Sequence, residues 1–420
     1  VRKDMRRAVF AFWSTQTIAV ALLLALAAGN ITLFLTATPQ TPARAAVSSF
    51  TENFSTTTYK DSVNTTGSWL GNSQAYLGTG NASSTHYYYE NPPAGIDGFN
   101  AISCKDDNTC YMAMGYPTGA GVYRTTDAGA QWEMAYGGDL EPYHLNGNTK
   151  LLDIYAVPGT DTVYAVGKHW SNEALVIKST DGGTTWAVKT TGFSGSITLN
   201  GISCSDANTC VAVGVTKKLY YTTNGVTSWS AGTLPAGTYD LNAVDFINDG
   251  ASTTWRAVGT AGRVISSKAT LTPSSWSNDG FFTGHTLRGV EHLSYGTILV
   301  AGGTNATDSF MASSTDDGLT YATTTHAMTN RIYDIGCGDA DTCWAVGGNG
   351  SPVQQRTDNG GSTWTLLTNS LRTLGGELLS LSTVNGSIAY TVGGGVSGYG
   401  KIGKTSTSTN FDNISMNQMC

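Results

Sequence analysis

The chain has 420 residues and a formal net charge of −7, so its acidic balance gives no electrostatic case for a nucleic-acid partner. Only 13% of the residues are charged, while 40% are hydrophobic and 51 are glycine. This composition excludes a disordered chain and favours many short strands joined by tight turns.

The first 46 residues have the pattern of a targeting segment. Four positive charges come first, at Arg2, Lys3, Arg6 and Arg7. A mostly apolar stretch over residues 8–37 follows, and then Ala43-Arg44-Ala45, a pattern that signal peptidase accepts. The stretch is also long enough to span a bilayer, so residues 1–46 are predicted to be a cleaved signal peptide or a helical membrane anchor. Either way the rest is predicted to be extracytoplasmic, with membrane contact only through this segment.

Residues 47–97 precede the repeats and are predicted to form an extension or linker that contains strands. The runs 50–54 and 87–89 are strand-like, and Asn91-Pro92-Pro93 marks a turn or linker. Two placements are open for this segment. It either lends a strand to the edge of the following domain or packs on one of its faces.

From residue 98 to residue 420 the sequence repeats three landmarks in a fixed order. The first is a short apolar motif, the second is an apolar strand that ends in glycine, and the third is an aromatic residue. Each landmark occurs seven times, and the aromatic residues are Trp132, Trp186, Trp229, Trp276, Tyr321, Trp364 and Phe411. By subtraction they lie 54, 43, 47, 45, 43 and 47 positions apart. This period predicts an all-β fold, a seven-bladed β-propeller of four-stranded antiparallel blades over residues 98–420.

The first landmark is predicted to be the innermost strand of each blade. Its third position is small in five copies, which suits the crowding near a propeller axis: Ala101, Gly201, Ala243, Gly289 and Ser380. Asp153 and Asp334 occupy this position in the other two copies. Two roles are open for these carboxyl groups. They either accept hydrogen bonds from the neighbouring backbone or stand as polar groups near the central channel.

The third landmark has a sharper form around its aromatic residue. Residues 179–186 fit S-x-D-x-G-x-T-W at every fixed position, and residues 314–321 fit it with Tyr in the last place. These segments resemble the Asp-box, or bacterial neuraminidase repeat, of a family of β-propellers. An Asp or Asn side chain that accepts backbone N–H groups closes such a turn, and the large aromatic ring is buried between blades. A structural role is therefore predicted for Asp127, Asp181, Asn224, Asp316, Asn359, Trp132, Trp186, Trp229 and Trp364.

Six of the seven cysteines form three copies of a C-x5-C pattern: Cys104 with Cys110, Cys204 with Cys210, and Cys337 with Cys343. A zinc site would need a second pair near each one, yet the copies lie far apart in sequence and carry no histidine. Each pair is predicted to be a disulfide across the hairpin of the first two strands, which persists only in an oxidising compartment. No metal site and no cofactor are predicted.

Propeller ligands usually meet the face that carries the loops between second and third strands and the connections between blades. Exposed aromatic residues with scattered polar groups on such a face suit a protein or carbohydrate ligand. The residues predicted to contact it are Tyr143, His169, Trp170, Lys217, Arg263 and Arg288. Blade connections on the same face add Phe193, Tyr239, Phe281 and Phe282.

Two enzyme branches of the Asp-box propellers bear on function. Likeness to sialidases would imply an arginine triad, a tyrosine nucleophile partnered by glutamate and an acidic aspartate, and no such triad is apparent among the seven arginines of the repeat region. Likeness to other glycoside hydrolases would imply two carboxylates across a cleft. The residues available for that role are Asp153, Asp334, Glu173 and Glu377.

The overall likeness is greatest to the photosystem II stability and assembly factor-like propellers. These have seven blades, Asp-boxes, an export signal and repeated Ala-Val-Gly strands, much as at Ala345-Val346-Gly347. The resemblance implies a non-catalytic binding scaffold. The arginine-rich patch of that family is not visible in this sequence, so its client does not carry over. The predicted function is an exported binding or scaffold module for a protein or glycan, and the alternative is a sialidase-like or other Asp-box glycoside hydrolase.

Overall fold

The computed structural model describes residues 98–115, 120–136, 148–189, 192–193, 195–225, 228–248, 253–268, 272–294, 296–367, 376–394, 401–405 and 411–413. All of them belong to one compact unit, Ser73–Cys420. The predicted leader, 1–46, and the predicted extension, 47–97, lie outside the described residues. Across the described part of the chain, no helix is long and apolar enough to cross a membrane.

Seven four-stranded antiparallel sheets follow one another along the chain. Blade 1 contains β1 (Phe99–Cys104), β2 (Cys110–Met114), β3 (Gly121–Thr125) and β4 (Glu133–Tyr136). Blade 2 contains β5 (Lys150–Ala156), β6 (Val163–Lys168), β7 (Ala174–Ser179) and β8 (Ala187–Val188). Blade 3 contains β9 (Leu199–Cys204), β10 (Cys210–Gly214), β11 (Lys218–Thr222) and β12 (Ser230–Ala231). Blade 4 contains β13 (Leu241–Asn248), β14 (Thr253–Gly259), a 3₁₀ turn (Thr260–Gly262), β15 (Arg263–Ser267) and β16 (Ser277–Phe281).

The remaining three sheets complete the ring. Blade 5 contains β17 (Leu287–Ser294), β18 (Thr297–Gly302), β19 (Phe310–Ser314) and β20 (Ala322–Thr323). Blade 6 contains β21 (Ile332–Cys337), β22 (Thr342–Gly348), β23 (Pro352–Asp358) and β24 (Thr365–Leu366). Blade 7 contains β25 (Glu377–Asn385), β26 (Ile388–Gly394), β27 (Lys401–Thr405) and β28 (Phe411–Asn413). The predicted seven-bladed propeller of four-stranded antiparallel blades is confirmed.

A β-bulge interrupts the first strand of every blade at the second position of the apolar motif. In blade 2, for example, Leu151 pairs with Gly167 and Asp153 pairs with Val166, so Leu152 is left without a partner. The bulge also explains the glycine that closes the second landmark. It brings the first strand so close that a Cβ at Gly167 would clash with the carbonyl oxygen of Lys150.

Hydrophobic clusters lie between neighbouring blades rather than within one blade. Trp132 of blade 1 is 1% exposed and belongs to a cluster with Phe99 of its own blade and with Tyr390 and Val392 of blade 7. Trp229 of blade 3 packs in the same way with residues of blade 2. The aromatic landmark therefore holds its blade to the preceding one by burying a large apolar area.

The turn between the third and fourth strands has the hydrogen bonds that its sequence pattern predicts. In blade 2, Asp181 Oδ1 accepts the Thr185 N–H at 2.8 Å and the Ser179 hydroxyl at 2.8 Å. The Ser179 hydroxyl in turn accepts the N–H of Gly183, which has a φ of +86°. The same set recurs around Asp127, Asp316 and Asn359, and in part around Asn224.

Three disulfides join the first two strands of blades 1, 3 and 6. Their S–S distances are 2.05 Å for Cys104–Cys110, 2.08 Å for Cys204–Cys210 and 2.09 Å for Cys337–Cys343. Each spans only six positions of sequence. A covalent link across so short a loop constrains its own hairpin more than the ring as a whole.

The first strand of each blade pairs on one side only, and in six of the seven blades a side chain of the preceding blade accepts a backbone N–H from its open edge. Asp153 of blade 2 accepts the Ile202 N–H of blade 3 at 2.8 Å, and Asp334 of blade 6 accepts the Leu381 N–H of blade 7 at 2.8 Å. Of the two roles open for these aspartates, hydrogen bonding to the neighbouring backbone is therefore present. The carboxyl groups also line the central channel.

The same arrangement recurs two positions further along the first strand. Backbone N–H groups of one blade are accepted there by Ser103, Asp245, Glu291 and Ser382 of the preceding blade. Ser380 and Ser382 of blade 7 accept the N–H groups of Ile102 and Cys104 of blade 1. Side-chain hydrogen bonds thus close the ring between its last and first blades.

A second layer of contacts between blades lies near the turns. Tyr111 and Arg124 of blade 1 both donate to the Gly182 carbonyl of blade 2, at 3.0 and 2.7 Å. Lys178 donates to Gly225 of blade 3, and Lys404 donates to Ala128 of blade 1. These cations neutralise carbonyl dipoles of the next turn and fix its position.

Enclosure inside the ring changes the acidity of the two inner aspartates. Poor solvation among the surrounding blades raises the pKa of Asp153 to about 7, against two backbone hydrogen bonds that lower it. The same cause raises the pKa of Asp334 to about 6. Because these folded-state values exceed the unfolded ones, folding binds protons, and this contribution to stability falls as the pH rises from about 4 to about 7.

Removal of the Asp181 carboxylate is expected to destabilise its turn. Asp181→Ala takes away the acceptor for the Thr185 N–H and hydroxyl, and should lower the free energy of unfolding by about 1 kcal/mol. Asp181→Asn is the matched control, because Asn359 fills the equivalent place in blade 6. Urea denaturation at pH 7 measures both, and equal losses for the two variants would contradict the assigned role.

Removal of the Asp153 charge is expected to change how stability depends on pH. Asp153→Asn cannot ionise, so the wild type should lose stability relative to this variant as the pH rises from 5 to 8. The reverse sign is expected at Asp181, where hydrogen bonds from Thr185 lower the pKa to about 2 and the contribution is lost as the pH falls below about 4. Urea midpoints at several pH values measure both differences. A difference that stays constant from pH 5 to pH 8 would contradict the assignment for Asp153.

Candidate ligand-binding face

The loops of the propeller divide between two faces. On one face the first hairpin of a blade meets the turn before its fourth strand, as when Gly225 N–H donates to the Asn208 carbonyl. The other face carries the loops between second and third strands together with the connections between blades, and Thr216 and Asp240 join two such segments. We call the first of these the turn face and the second the connection face.

A central channel of about 570 Å³ is lined by the first strands of all seven blades. The bulged residues form its rim at the connection face: Asn100, Leu152, Asn200, Asn242, Arg288, Tyr333 and Leu379. Four carboxyl groups line the channel further in: Asp153, Asp245, Glu291 and Asp334. No group of three or more His, Cys, Asp or Glu residues in the described ranges is arranged to hold a metal ion.

Charged and polar neighbours surround the inner carboxyl groups Asp245 and Glu291. Burial and the nearby Asp245 raise the pKa of Glu291 well above its ordinary value. Asp245 accepts the N–H of His292 and lies 2.6 Å from its Nδ1. Arg256 NH1 lies 2.7 Å from His292 Nε2 and must be the donor there, which places the imidazole proton on Nδ1.

Three polar residues gather at one side of the rim. Arg331 NH1 donates to the Tyr333 hydroxyl at 2.8 Å, and that hydroxyl donates to Glu377 Oε2 at 2.7 Å. The guanidinium carbons of Arg288 and Arg331 each lie 5.4 Å from the centre of the Tyr333 ring. Within this group, the sequence predicted only Arg288 as a ligand residue. The fold brings a second arginine and a Tyr–Glu pair beside it, although the sequence shows no arginine cluster.

A cation–aromatic patch lies where blade 3 meets blade 4. The guanidinium carbon of Arg263 lies 4.3 Å from the Tyr239 ring centre and 3.9 Å from that of Phe281. Lys217 Nζ approaches the other side of the patch, 5.8 Å from the Tyr239 ring centre. Asn278 accepts a hydrogen bond from Arg263 and orients its guanidinium. The patch combines a fixed charge with Phe281, whose surface is 53% exposed.

A third group lies on the loop between β6 and β7. Trp170 is 50% exposed, and its ring centre lies 5.4 Å from that of His169. His169 Nδ1 lies 2.7 Å from the Ser171 hydroxyl, which donates to Glu173. The loop therefore presents one indole ring, and its polar side chains bond to one another.

The predicted ligand residues separate into these three groups. Lys217 and Arg263 meet in the patch, His169 and Trp170 share a loop, and Arg288 lies at the rim of the channel. Tyr143 lies outside the described residues. Sequence reasoning missed Arg331 and Tyr333. The sequence could have indicated Tyr333, because Tyr333 occupies the same motif position as Arg288. Only the bulge in the structure shows that this position lies at the rim of the channel.

Comparisons with known proteins agree on the fold. No protein-family model matches the chain, and a search of curated proteins found no match. Among solved structures, YCF48 with a D1 peptide bound is 15% identical with a TM-score of 0.55, over 76% of this chain and 96% of that one. The WD40 repeats of RRP9 are 10% identical with a TM-score of 0.51, over 73% and 89%.

An enzyme also appears among the structural matches. The GH74 enzyme of Niastella koreensis is 13% identical with a TM-score of 0.43, over 77% of this chain and 66% of that one. That score is too low to support an argument about function. At the identities of all three matches the likeness shows the fold alone.

Proposed function

We propose that this chain is an exported, non-catalytic β-propeller that binds a protein segment on its connection face, as a scaffold at the cell surface or envelope. The observation that carries the proposal is the cation–aromatic patch. Arg263 is 5% exposed and held between two rings, while Phe281 presents more than half of its surface to solvent. Arginine and aromatic side chains in fixed positions are the residues that dominate binding energy at protein interfaces.

Export is supported by the chemistry of the cysteines and by the N-terminal sequence. Three disulfides persist only where the compartment is oxidising. The pattern of residues 1–46 predicts translocation. Resemblance of the repeats to the photosystem II stability and assembly factor-like propellers supports a scaffold role, and YCF48, one of the structural matches, has been solved with a peptide bound.

A protein ligand is favoured over a glycan by the character of the patch. The guanidinium group of Arg263 is desolvated and oriented, so it favours a partner that places a carboxylate or a carbonyl within hydrogen-bonding distance of it. Sugars need many free hydrogen-bonding groups. Trp170 is the residue through which a glycan would bind, because its exposed indole ring offers a surface for stacking.

Loss of either Phe281 or Arg263 is expected to weaken the capture of a protein partner. Phe281→Ala and Arg263→Ala should each weaken retention of envelope proteins on the immobilised chain about tenfold or more, since each removes an interface anchor. Quantitative mass spectrometry of the eluates measures the loss. A glycan array probed with the wild type and with Trp170→Ala runs in parallel.

The matched control is Leu319→Ala. Leu319 is a hydrophobic residue that is 78% exposed, and it lies in the turn of blade 5, on the turn face. It should leave capture unchanged. If Leu319→Ala and Phe281→Ala behave alike, the patch is not the binding site. If glycans are retained in a manner that depends on Trp170 and no protein is captured, the ligand is a carbohydrate.

A glycoside hydrolase is the second candidate, and the channel carboxyl groups favour it. Burial raises the pKa of Glu291, while Asp245 is hydrogen bonded to His292, so two carboxyl groups with different partners face the same cavity. Paired carboxyl groups pushed apart in acidity are typical of such enzymes. However, the carboxyl groups of Asp153, Asp334 and Glu291 already accept hydrogen bonds from backbone N–H groups, which weighs against a catalytic role.

Hydrolysis is expected to be absent. Neutral oligosaccharides and sialyllactose incubated with the purified chain should be recovered intact by mass spectrometry. Shortened or desialylated products would contradict the non-catalytic assignment. In that event Glu291→Gln should reduce the rate at least about 100-fold if the channel pair is the catalyst.

A further inference from the structure

Two guanidinium groups without a carboxylate partner in the described residues lie beside Tyr333, and that of Arg288 lines the rim of the channel. The guanidinium carbons of Arg288 and Arg331 each lie 5.4 Å from the centre of the Tyr333 ring, as described above. Neither forms an ion pair with a carboxylate of the described residues. Glu377 is the acidic side chain nearest to this group, and the Tyr333 hydroxyl occupies its Oε2.

The hydrogen bonds of these arginines leave donors unused. Arg288 donates one long hydrogen bond, from Nε to the Gly303 carbonyl at 3.4 Å, and its two terminal nitrogens have no acceptor among the described residues. Arg331 uses NH1 for Tyr333, while its buried Nε has no partner in the described structure. Burial and the adjacent Arg331 also lower the pKa of Arg288, which shows that positive charge is crowded at this point.

The rest of the rim indicates which kind of anion fits. Asn100, Asn200 and Asn242 each donate their amide nitrogen to the backbone of the next blade, at 2.7–2.9 Å. These amide groups are therefore used in hydrogen bonds between blades, and they are poor partners for a ligand rich in hydroxyl groups. Leu152 and Leu379 add apolar surface to the same rim. A carboxylate attached to an apolar or peptide chain matches this combination better than a sugar does.

We propose that Arg288 and Arg331, beside Tyr333, form a subsite for a carboxylate of an acidic segment in the bound protein. The inference rests on the proposed function, because it names the chemistry of the partner. A carboxylate placed there receives charge-assisted hydrogen bonds from the unused guanidinium nitrogens and relieves the repulsion between the two cations. The acidic layer deeper in the channel would repel it, so the carboxylate stops at the rim.

The experiment uses the whole exported chain and defined probes. N-acetyl-triglutamate is titrated calorimetrically against the wild type, with N-acetyl-triglutamine as the uncharged match and with inorganic phosphate and N-acetylneuraminic acid as other anions. Arg288→Gln and Arg331→Gln remove one cation each. Arg356→Gln is the control, because Arg356 lies on the third strand of blade 6 and is paired with Asp358.

The glutamate peptide should bind in a salt-sensitive manner, and each rim variant should weaken it about tenfold while Arg356→Gln does not. Unfolding midpoints equal to that of the wild type show that the variants fold, and ¹⁵N spectra of the arginine Nε groups should shift at Arg288. Unchanged binding in both rim variants would overturn the proposal. So would no binding at about 10 mM peptide, or equal binding of phosphate or N-acetylneuraminic acid. Partner capture that depends on Phe281 but not on Arg288 would leave the proposed function standing and remove this subsite.

Discussion

The open edge of the innermost strand is the constraint on which the rest of this propeller depends. Each such strand pairs with one neighbour in its own blade, so its other edge would leave backbone groups unsatisfied inside a crowded ring. Serine, aspartate and glutamate side chains of the preceding blade fill that need, as Asp153 does for Ile202. The last and first blades meet in the same way through Ser380 and Ser382, and an antiparallel β-bridge between Gly98 and Gly394 joins them as well.

The β-bulge that recurs in all seven first strands connects this architecture to binding. It removes one residue per blade from strand pairing and turns it toward the rim of the channel. Three blades use that residue to hold the next blade, through Asn100, Asn200 and Asn242. In blades 5 and 6 the same position carries Arg288 and Tyr333, which are free of that task. The candidate site thus appears where the repeat departs from its structural pattern.

The channel is electrostatically layered along its axis. Arginines lie at the connection face, and carboxyl groups lie further in, where backbone N–H groups and His292 offset the cost of burying them. Poor solvation raises the pKa of Asp153 to about 7 because the surrounding blades keep most water away. The inner layer joins neighbouring blades through its hydrogen bonds, and the outer layer carries guanidinium groups without a carboxylate partner in the described residues.

The sequence by itself determined the fold, because the period of the landmarks, the S-x-D-x-G turns and the C-x5-C pairs are all local features. Side chains such as Asp181 act within four or five residues of themselves, so their roles follow from spacing. Only the tertiary structure decided the site. Arg288 and Arg331 lie 43 positions apart, and Lys217 and Arg263 lie 46 apart, by subtraction. They meet because ring geometry brings neighbouring blades together, and hydrophobic periodicity does not reveal the bulge that contains Arg288 and Tyr333.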